Sequence, residues 1–487
     1  MTEEKVTRSS RVSSWFDSRL GLTYSLLRPA PRYSMNPFYW LGALTVVAFL
    51  IQGVSGMIMM LYYVPSPSAA FSSTQYIFQT VYFGRFLETV HLYTAYAMIM
   101  LAFMHMMRGY FVSVQKKPRE MMWVVGMVMG FVTLGFGFTG YLLPWTVVSK
   151  SATDVGIGMI SALPSVLSSA IMFLIVGAGG DATELLRFYD LHVVVLPAVL
   201  LVLLTLKMYM LEVHGIAEPS TGQPADAKAA RGLPIFPDVT FYLLGLAAMF
   251  GSAMLLISAV FPLSLPPEYT PQLAAQFTSQ PDWYFLWIYQ ILKISVFEGA
   301  GLPVALSLVT FIFIVLLILP FVDRGQTRKI RDRPAYVTVG LIFVAELIVL
   351  AYWGLESPGQ IIGTEEAVLV LGGTAILVGI ISWAAYRFLS GRGGDHAIPE
   401  ANGALKTAAG FACLLAGGAT GIGWSLNSLV RLVMFGPSFS NVFQLVLSCG
   451  LLMAIVPLTV LFLYSLESRN GSLKRRFRIL EIGSGNN

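Results

Sequence analysis

The sequence predicts an all-α fold: a polytopic membrane bundle of about ten transmembrane helices. Three observations predict it. Of 487 residues, 56% are hydrophobic and only 12% are charged, about half the charge of a typical soluble domain. The mean hydropathy is +0.71. The apolar residues also fall into runs long enough to cross a bilayer, which takes about 20 residues. These properties exclude a soluble globule, a disordered chain, a disulfide-stapled secreted module and a coiled coil. The net charge of +5 says less than where the charges sit.

The runs lie near 38–62, 87–112, 121–143, 189–212, 239–261, 302–322, 335–355, 366–389, 405–428 and 441–465. Two shorter apolar segments, near 160–177 and 283–297, suit helices lying at the interface. With the N-terminus cytoplasmic, 24 of the 31 Lys and Arg residues fall on cytoplasmic segments and five on the opposite side. That asymmetry predicts that both termini are cytoplasmic and that the chain sits multi-pass in the cell membrane. The first 37 residues are polar and basic, which predicts a cytoplasmic amphipathic segment and no cleavable signal peptide. On the outer side, segments 144–188 and 262–301 are long, apolar and rich in Pro and Gly. Long ordered loops on one face carry function, so a site or docking surface is expected there.

Cys413 and Cys449 lie inside apolar runs and form no Cys-x-x-Cys, so they read as small core residues. Only five histidines occur, His91, His105, His192, His214 and His396. His91 and His105 share span two, 14 residues apart. That is about four helical turns, or ~21 Å, and leaves the two within about 40° of one face. His192 lies near the outer end of span four. A membrane histidine serves a helix–helix hydrogen bond, a proton relay or a metal. Two stacked on one helix with a third on another favour haem, whose iron takes axial ligands from opposing helices. The glycines keep the same interval: Gly42 and Gly56 in span one, Gly126 and Gly140 in span three. Glycine lets a flat macrocycle approach a backbone, although small residues also serve ordinary helix packing. Arg85 and Arg187 precede His91 and His192, and Arg108 follows His105. Arginine there suits the carboxylates of haem propionates or simply snorkels at a span end.

These residues resemble the cytochrome b subunit of the cytochrome bc complexes, respiratory and photosynthetic. The resemblance runs from about residue 14 to about 355. It rests on Trp15-Phe16-Asp17, Gln52 to Gly56, His91 and His105 followed by Arg108-Gly109, and Gly140-Tyr141-Leu142-Leu143-Pro144-Trp145. It continues in Arg187-Phe188-Tyr189-Asp190-Leu191-His192, Pro281-Asp282-Trp283-Tyr284 and Leu319-Pro320-Phe321-Val322-Asp323-Arg324. Each motif is weak alone; in order and on the expected spans they are specific together.

The resemblance implies four parts. Residues 1–37 form the cytoplasmic segment and 38–218 a four-helix bundle holding two haems. Residues 219–355 are the quinol-site and C-terminal helices, and 356–487 add further spans and a tail. It implies quinol oxidation in an outer pocket formed by spans three and six, the 144–165 segment and the 262–300 loop. A Rieske iron–sulfur protein would dock there, with a quinone pocket near the inner haem, further respiratory subunits and a dimer of complexes. Pro281, Asp282, Trp283 and Tyr284 are the catalytic candidates. Asp282 is the base and Tyr284 its hydrogen-bonding partner, unless Pro281 and Asp282 merely cap the helix that follows.

The sequence departs from the family at several points. The family more often has Glu where Asp282 stands, and the shorter side chain leaves room for a water. His192 has no second histidine 15 residues on; that position is Lys207. A neutral amine can ligate iron, so His105 and Lys207 form the expected inner pair. Lys207 reaching for the cytoplasm, or His214 entering the site, are the alternatives. Where the photosynthetic branch has a cysteine for an extra haem, this chain has Trp40, so no such haem is expected. The two chains of that branch are fused here through 213–238, and two spans are added. With the lysine, that points to a divergent prokaryotic, archaeal branch. At the inner side, Glu212, His214 and Asp238 are candidate proton donors to quinone or plain solvated residues. Glu346, deep in span seven, suits a proton path or a helix–helix bond. Two rival functions remain: a dihaem membrane anchor of a dehydrogenase, and a proton-coupled transporter without haem.

Overall fold

The computed structural model describes residues 29–177, 179–217, 232–325 and 327–390. Eight of its helices are long and apolar enough to cross a membrane: Pro37–Met60, Gly84–Phe111, Glu120–Leu142, Asp181–His214, Thr240–Val260, Leu302–Val322, Pro334–Glu356 and Thr364–Arg387. They coincide with the first eight expected spans and are called spans one to eight below. The expected spans near 405–428 and 441–465, Cys413, Cys449, His396 and Trp15-Phe16-Asp17 lie outside the described residues. Among the described residues the only sheet is a two-residue pairing of β1, Pro29–Ala30, with β2, Leu233–Pro234. It ties the chain before span one to the chain before span five.

Local signals set the helix ends. The Asn36 side chain caps Phe38 N at 3.0 Å, with Pro37 in the first helical position. Pro303 and Pro334 likewise open spans six and seven. Span four is broken by a π turn at Leu191–Val195. Pro197 follows it, lacks an N–H and crowds the carbonyl four residues back, so the widened turn takes up the mismatch. That turn carries His192.

Span one packs along span two, and span three along span four. Between them lies an apolar layer of Ala48, Met98 and Leu200, flanked by Phe49, Met129, Val132, Phe136 and Phe250. Ala48 lies between Gly42 and Gly56, next to the midpoint Phe49, and Met98 lies midway between His91 and His105. The bundle core is therefore one hydrophobic layer with a polar level above and below it. Large apolar side chains such as Val202, Phe241, Val304, Ile348 and Leu369 are exposed on the outside of the spans, as a bilayer requires.

The two long outer segments fold back on each other. Val147 N donates to the Pro267 carbonyl at 2.9 Å and Tyr269 N to the Trp145 carbonyl at 3.1 Å. Thr146 and Ser149 form a capping box that starts the helix Val147–Ser161. The expected interfacial helices are Ser165–Ile175 and Leu286–Leu292. Lys150 is not the solvated outer charge its position suggests. It is buried, paired with Asp154 and lying 3.4 Å from Asp181 and 3.6 Å from Glu184.

Candidate functional site

Each of the four 14-residue-spaced glycines faces one of the four expected ligands. A Cβ on Gly56 would lie 3.3 Å from His91 Cε1, and one on Gly140 2.5 Å from His192 Cε1. On Gly42 it would lie 3.1 Å from His105 Cε1, and on Gly126 2.8 Å from Lys207 Nζ. Spans one and two thus supply one glycine–histidine pair per level, and spans three and four supply the opposing pair. The Lys207 amine lies against Gly126 and close enough to interact electrostatically with His105; it does not reach away from the bundle.

At the outer level the His91 and His192 ring centroids are 6.3 Å apart. Two imidazole–metal bonds of about 2 Å each, with the two ring radii, span roughly the same distance. Local hydrogen bonds fix the tautomers. Ser55 Oγ donates to the Ile51 carbonyl at 2.7 Å and lies 2.8 Å from His91 Nδ1. Thr139 Oγ1 donates to the Gly135 carbonyl at 2.8 Å and lies 3.2 Å from His192 Nδ1. Each hydroxyl has spent its one hydrogen, so it accepts from Nδ1–H, and Nε2 keeps its lone pair. At the inner level His105 Nδ1 is buried and has no hydrogen-bond partner among the described residues. A pair of imidazole rings 6.3 Å apart, a glycine cradle and an orphaned imidazole nitrogen all fit haem.

The arginines sit where the sequence puts them, with partners of their own. Arg85 Nε donates to the Leu263 carbonyl at 2.6 Å. Arg187 donates to the Phe173 and Leu174 carbonyls. Arg108 lies 3.9 Å over the Tyr39 ring.

The outer pocket closes around Asp282, which is 3% exposed. Tyr96 of span two donates to Asp282 Oδ1 at 2.9 Å, while Oδ2 is buried with no hydrogen-bond partner among the described residues. Burial pushes the carboxyl up to about 7, against the pull of Tyr96, the Trp283 N–H and Tyr284. The Tyr284 hydroxyl occupies the space beside Gly137, where a Cβ would lie 2.8 Å away. Tyr141 of span three also faces the carboxyl. Trp283 packs edge-on to Tyr96 at 6.2 Å. Pro281 lies just ahead of this group, outside any helix. Pairing of Trp145 and Thr146 with 267–269 brings the 144–165 segment and the 262–300 loop together. Span six joins through Phe313, which packs on Phe131 and Trp287.

At the ends of spans four and five nearest the His105–Lys207 level, Glu212 and Asp238 are exposed and His214 is half-buried. An open apolar groove of about 290 Å³ runs between spans one and five, lined by Trp40, Leu44, Val47, Thr240 and Leu244. In span seven, Glu346 Oε2 is buried without a hydrogen-bond partner among the described residues.

The sequence reading missed Ser55, Thr139, Tyr96 and Gly137. A signal existed for the first two: a hydroxyl residue precedes each outer glycine, in Ser55-Gly56 and Thr139-Gly140. Tyr96 carried none, because its partner is 186 residues away.

Two family models match the chain. "Cytochrome b(N-terminal)/b6/petB" covers residues 96–271 and "Cytochrome b(C-terminal)/b6/petD" covers 272–371. A cytochrome bc complex cytochrome b subunit from Chlorobaculum thiosulfatiphilum is 31% identical over 357 residues, 72% of this chain and 82% of that one. Cytochrome b from Sulfolobus acidocaldarius is 28% identical over 410 residues, 78% and 72% of the two chains. Cytochrome b6 from Heliobacterium mobile is 41% identical over 191 residues, 39% of this chain and 90% of the relative. Among solved structures, a hyperthermophilic respiratory Complex III chain shares the fold, with a TM-score of 0.63 and 24% identity, covering 77% of this chain and 96% of that one.

Proposed function

The chain belongs to the cytochrome b family, a multi-pass electron-transfer subunit, and from that premise we propose that it is the cytochrome b of a quinol-oxidising respiratory complex. His91 and His192 would hold an outer haem, and His105 and Lys207 an inner one. Bound haem supplies a one-electron carrier at each level. The four glycine–ligand pairs, on four spans and at two levels, carry this reading.

The chain's own residues do the rest. Quinol oxidation releases two protons and two electrons. Asp282 takes a proton in a dry pocket, and Tyr284, Trp283 and Pro281 shape the pocket around it. One electron goes to a Rieske iron–sulfur protein docked on the paired outer segments. His91 and His192 at one level and His105 and Lys207 at the other would hold the carriers that give the second electron a path across the membrane, and proton release outside would contribute to proton translocation. Arg85, Arg187 and Arg108 would each meet a propionate in a charge-assisted pair. At the inner side, the groove between spans one and five suits a quinone tail, with Glu212, His214 and Asp238 as proton donors. Both termini are cytoplasmic in this reading, and the complex contains further respiratory subunits and assembles as a dimer.

Pyridine haemochrome analysis of the purified chain tests the cofactors. Two haems per chain are expected; a purified protein without a Soret band would favour the transporter reading. The Asp282→Asn variant tests the pocket: haem content stays, and quinol-dependent reduction is lost. Because burial holds the carboxyl near 7, its proton-accepting form is lost as pH falls through that value, so the rate should fall on the acid side.

A further inference from the structure

We propose that Tyr96 is a positioning residue for proton acceptance, fixing Asp282 by its Oδ1 so that Oδ2 is the oxygen presented to the substrate. The inference rests on the quinol-oxidation reading of this pocket. Tyr96 Oη donates to Asp282 Oδ1 at 2.9 Å, and Oδ2 is buried with no hydrogen-bond partner among the described residues. A buried acceptor left open costs free energy unless something fills it. Here the filling group is the quinol hydroxyl. Its O–H bond breaks, the proton goes to Oδ2 and the bonding pair stays on the quinol oxygen; the resulting monoanion then loses two electrons to one-electron iron-centred acceptors and its second hydroxyl proton to solvent.

The carboxyl is surrounded by phenols and one backbone N–H. Tyr284 and the Trp283 N–H approach it from its own loop, Tyr141 from span three and Tyr96 from span two. Of the two tyrosines carried by spans, Tyr96 is the one that hydrogen-bonds the carboxyl. It lies on the rigid helix that carries His91, five residues on, and its ring is wedged against both Trp283 and Tyr284, at 6.2 and 6.4 Å. It therefore ties the base to the outer level of the bundle instead of leaving it on a loop alone.

A hydrogen bond to a charged acceptor favours the ionised form. Tyr96→Phe removes one oxygen and keeps the ring contacts. In membranes carrying the assembled complex, haem reduction by a short-tailed benzoquinol and a short-tailed naphthoquinol is followed against pH. The acid limb should move up by about one pH unit. The rate then falls about tenfold below the limb and returns to the wild-type value above it, with unchanged haem spectra. A uniform loss at every pH, or an unmoved profile, overturns the proposal. Asp282→Asn separates it from the reading beneath it. Quinol-dependent reduction surviving in Asp282→Asn removes the site and the inference together; reduction lost there, with an unmoved Tyr96→Phe profile, removes the Tyr96 role alone. A second measurement needs no change at residue 96. The infrared carboxyl band that disappears in Asp282→Asn should lie at the frequency of a hydrogen-bonded acid, and a band at the free-acid frequency overturns the proposal.

Discussion

At the outer level of the bundle both imidazoles proposed as ligands are held at Nδ1, by Ser55 and Thr139. At the inner level His105 Nδ1 has no partner among the described residues, and the opposing side chain is Lys207. Both levels use the same 14-residue glycine frame; the backbone distinguishes them only in span four, where His192 sits in a π turn and Lys207 in regular helix. The difference lies in what surrounds the ligand atoms. The outer pair is held in tautomer and orientation at Nδ1 before any cofactor arrives, whereas the inner pair combines a ring with no hydrogen bond at Nδ1 and a four-carbon tail. Supporting hydrogen bonds raise a histidine's basicity and fix its aim. The outer site is thus preorganised and the inner one adaptable.

The largest effects should come from removing ligands. His91→Ala or His192→Ala should lose the outer haem, leaving about half the haem per chain, since an axial ligand has no substitute at that level. His105→Ala should lose the inner haem instead. Haemochrome content and low-temperature absorption assign each loss. Equal, mixed losses in all three variants would break the two-level description. Lys207→Ala sharpens it further: the low-spin signal of the inner haem should disappear, while the outer signal stays. Lys207→His should restore a low-spin inner spectrum of the bis-imidazole type. An unchanged inner spectrum in Lys207→Ala would show that the amine is not a ligand.

The glycines come next. Gly140→Ala forces a Cβ to within 2.5 Å of the His192 ring, a ring held by Thr139 and seated in a π turn that cannot easily yield. Overpacking of this kind costs about 1–3 kcal/mol. Gly126→Ala meets the Lys207 amine at 2.8 Å, but that is the end of a flexible chain and can swing aside. Haem retention on heating should therefore fall by several degrees more in Gly140→Ala than in Gly126→Ala. Equal shifts would mean that the lysine is as tightly held as the histidine.

The two levels were also unequally legible in the sequence. His91, His105, the four glycines and the eight described spans follow from interval and hydropathy, because a helix converts residue spacing directly into height and face. Lys207 stood out only against the family pattern, and its aim at Gly126 is a matter of rotamer that spacing does not determine. The Asp282 pocket was half visible. Tyr284 is a neighbour in sequence, but Tyr96 and Gly137 reach the site through packing between distant spans. Lys150 illustrates the same limit: its charge counts toward topology, while its burial against Glu184 depends on how two outer helices meet.

The smallest effect tests the hydroxyls that set the outer level apart. Ser55→Ala and Thr139→Val should each keep the outer haem but weaken its hold about 10-fold, since loss of a supporting hydrogen bond typically costs 10–100-fold in affinity. The inner haem should be untouched, as read by haem loss to an acceptor protein. The reciprocal change asks whether the difference can be transplanted. Leu41 precedes Gly42 as Ser55 precedes Gly56, and it is buried at the inner level. Leu41→Ser places a hydroxyl in the register from which Ser55 reaches its histidine. Like Ser55, it can give its hydrogen to the carbonyl four residues back and accept from His105 Nδ1. The lost methyl groups work against this gain, so overall stability should fall slightly. The inner haem should nevertheless bind more tightly and give a narrower low-spin signal. A broader or unchanged signal would mean that the inner level differs from the outer in geometry and not merely in the missing hydroxyl.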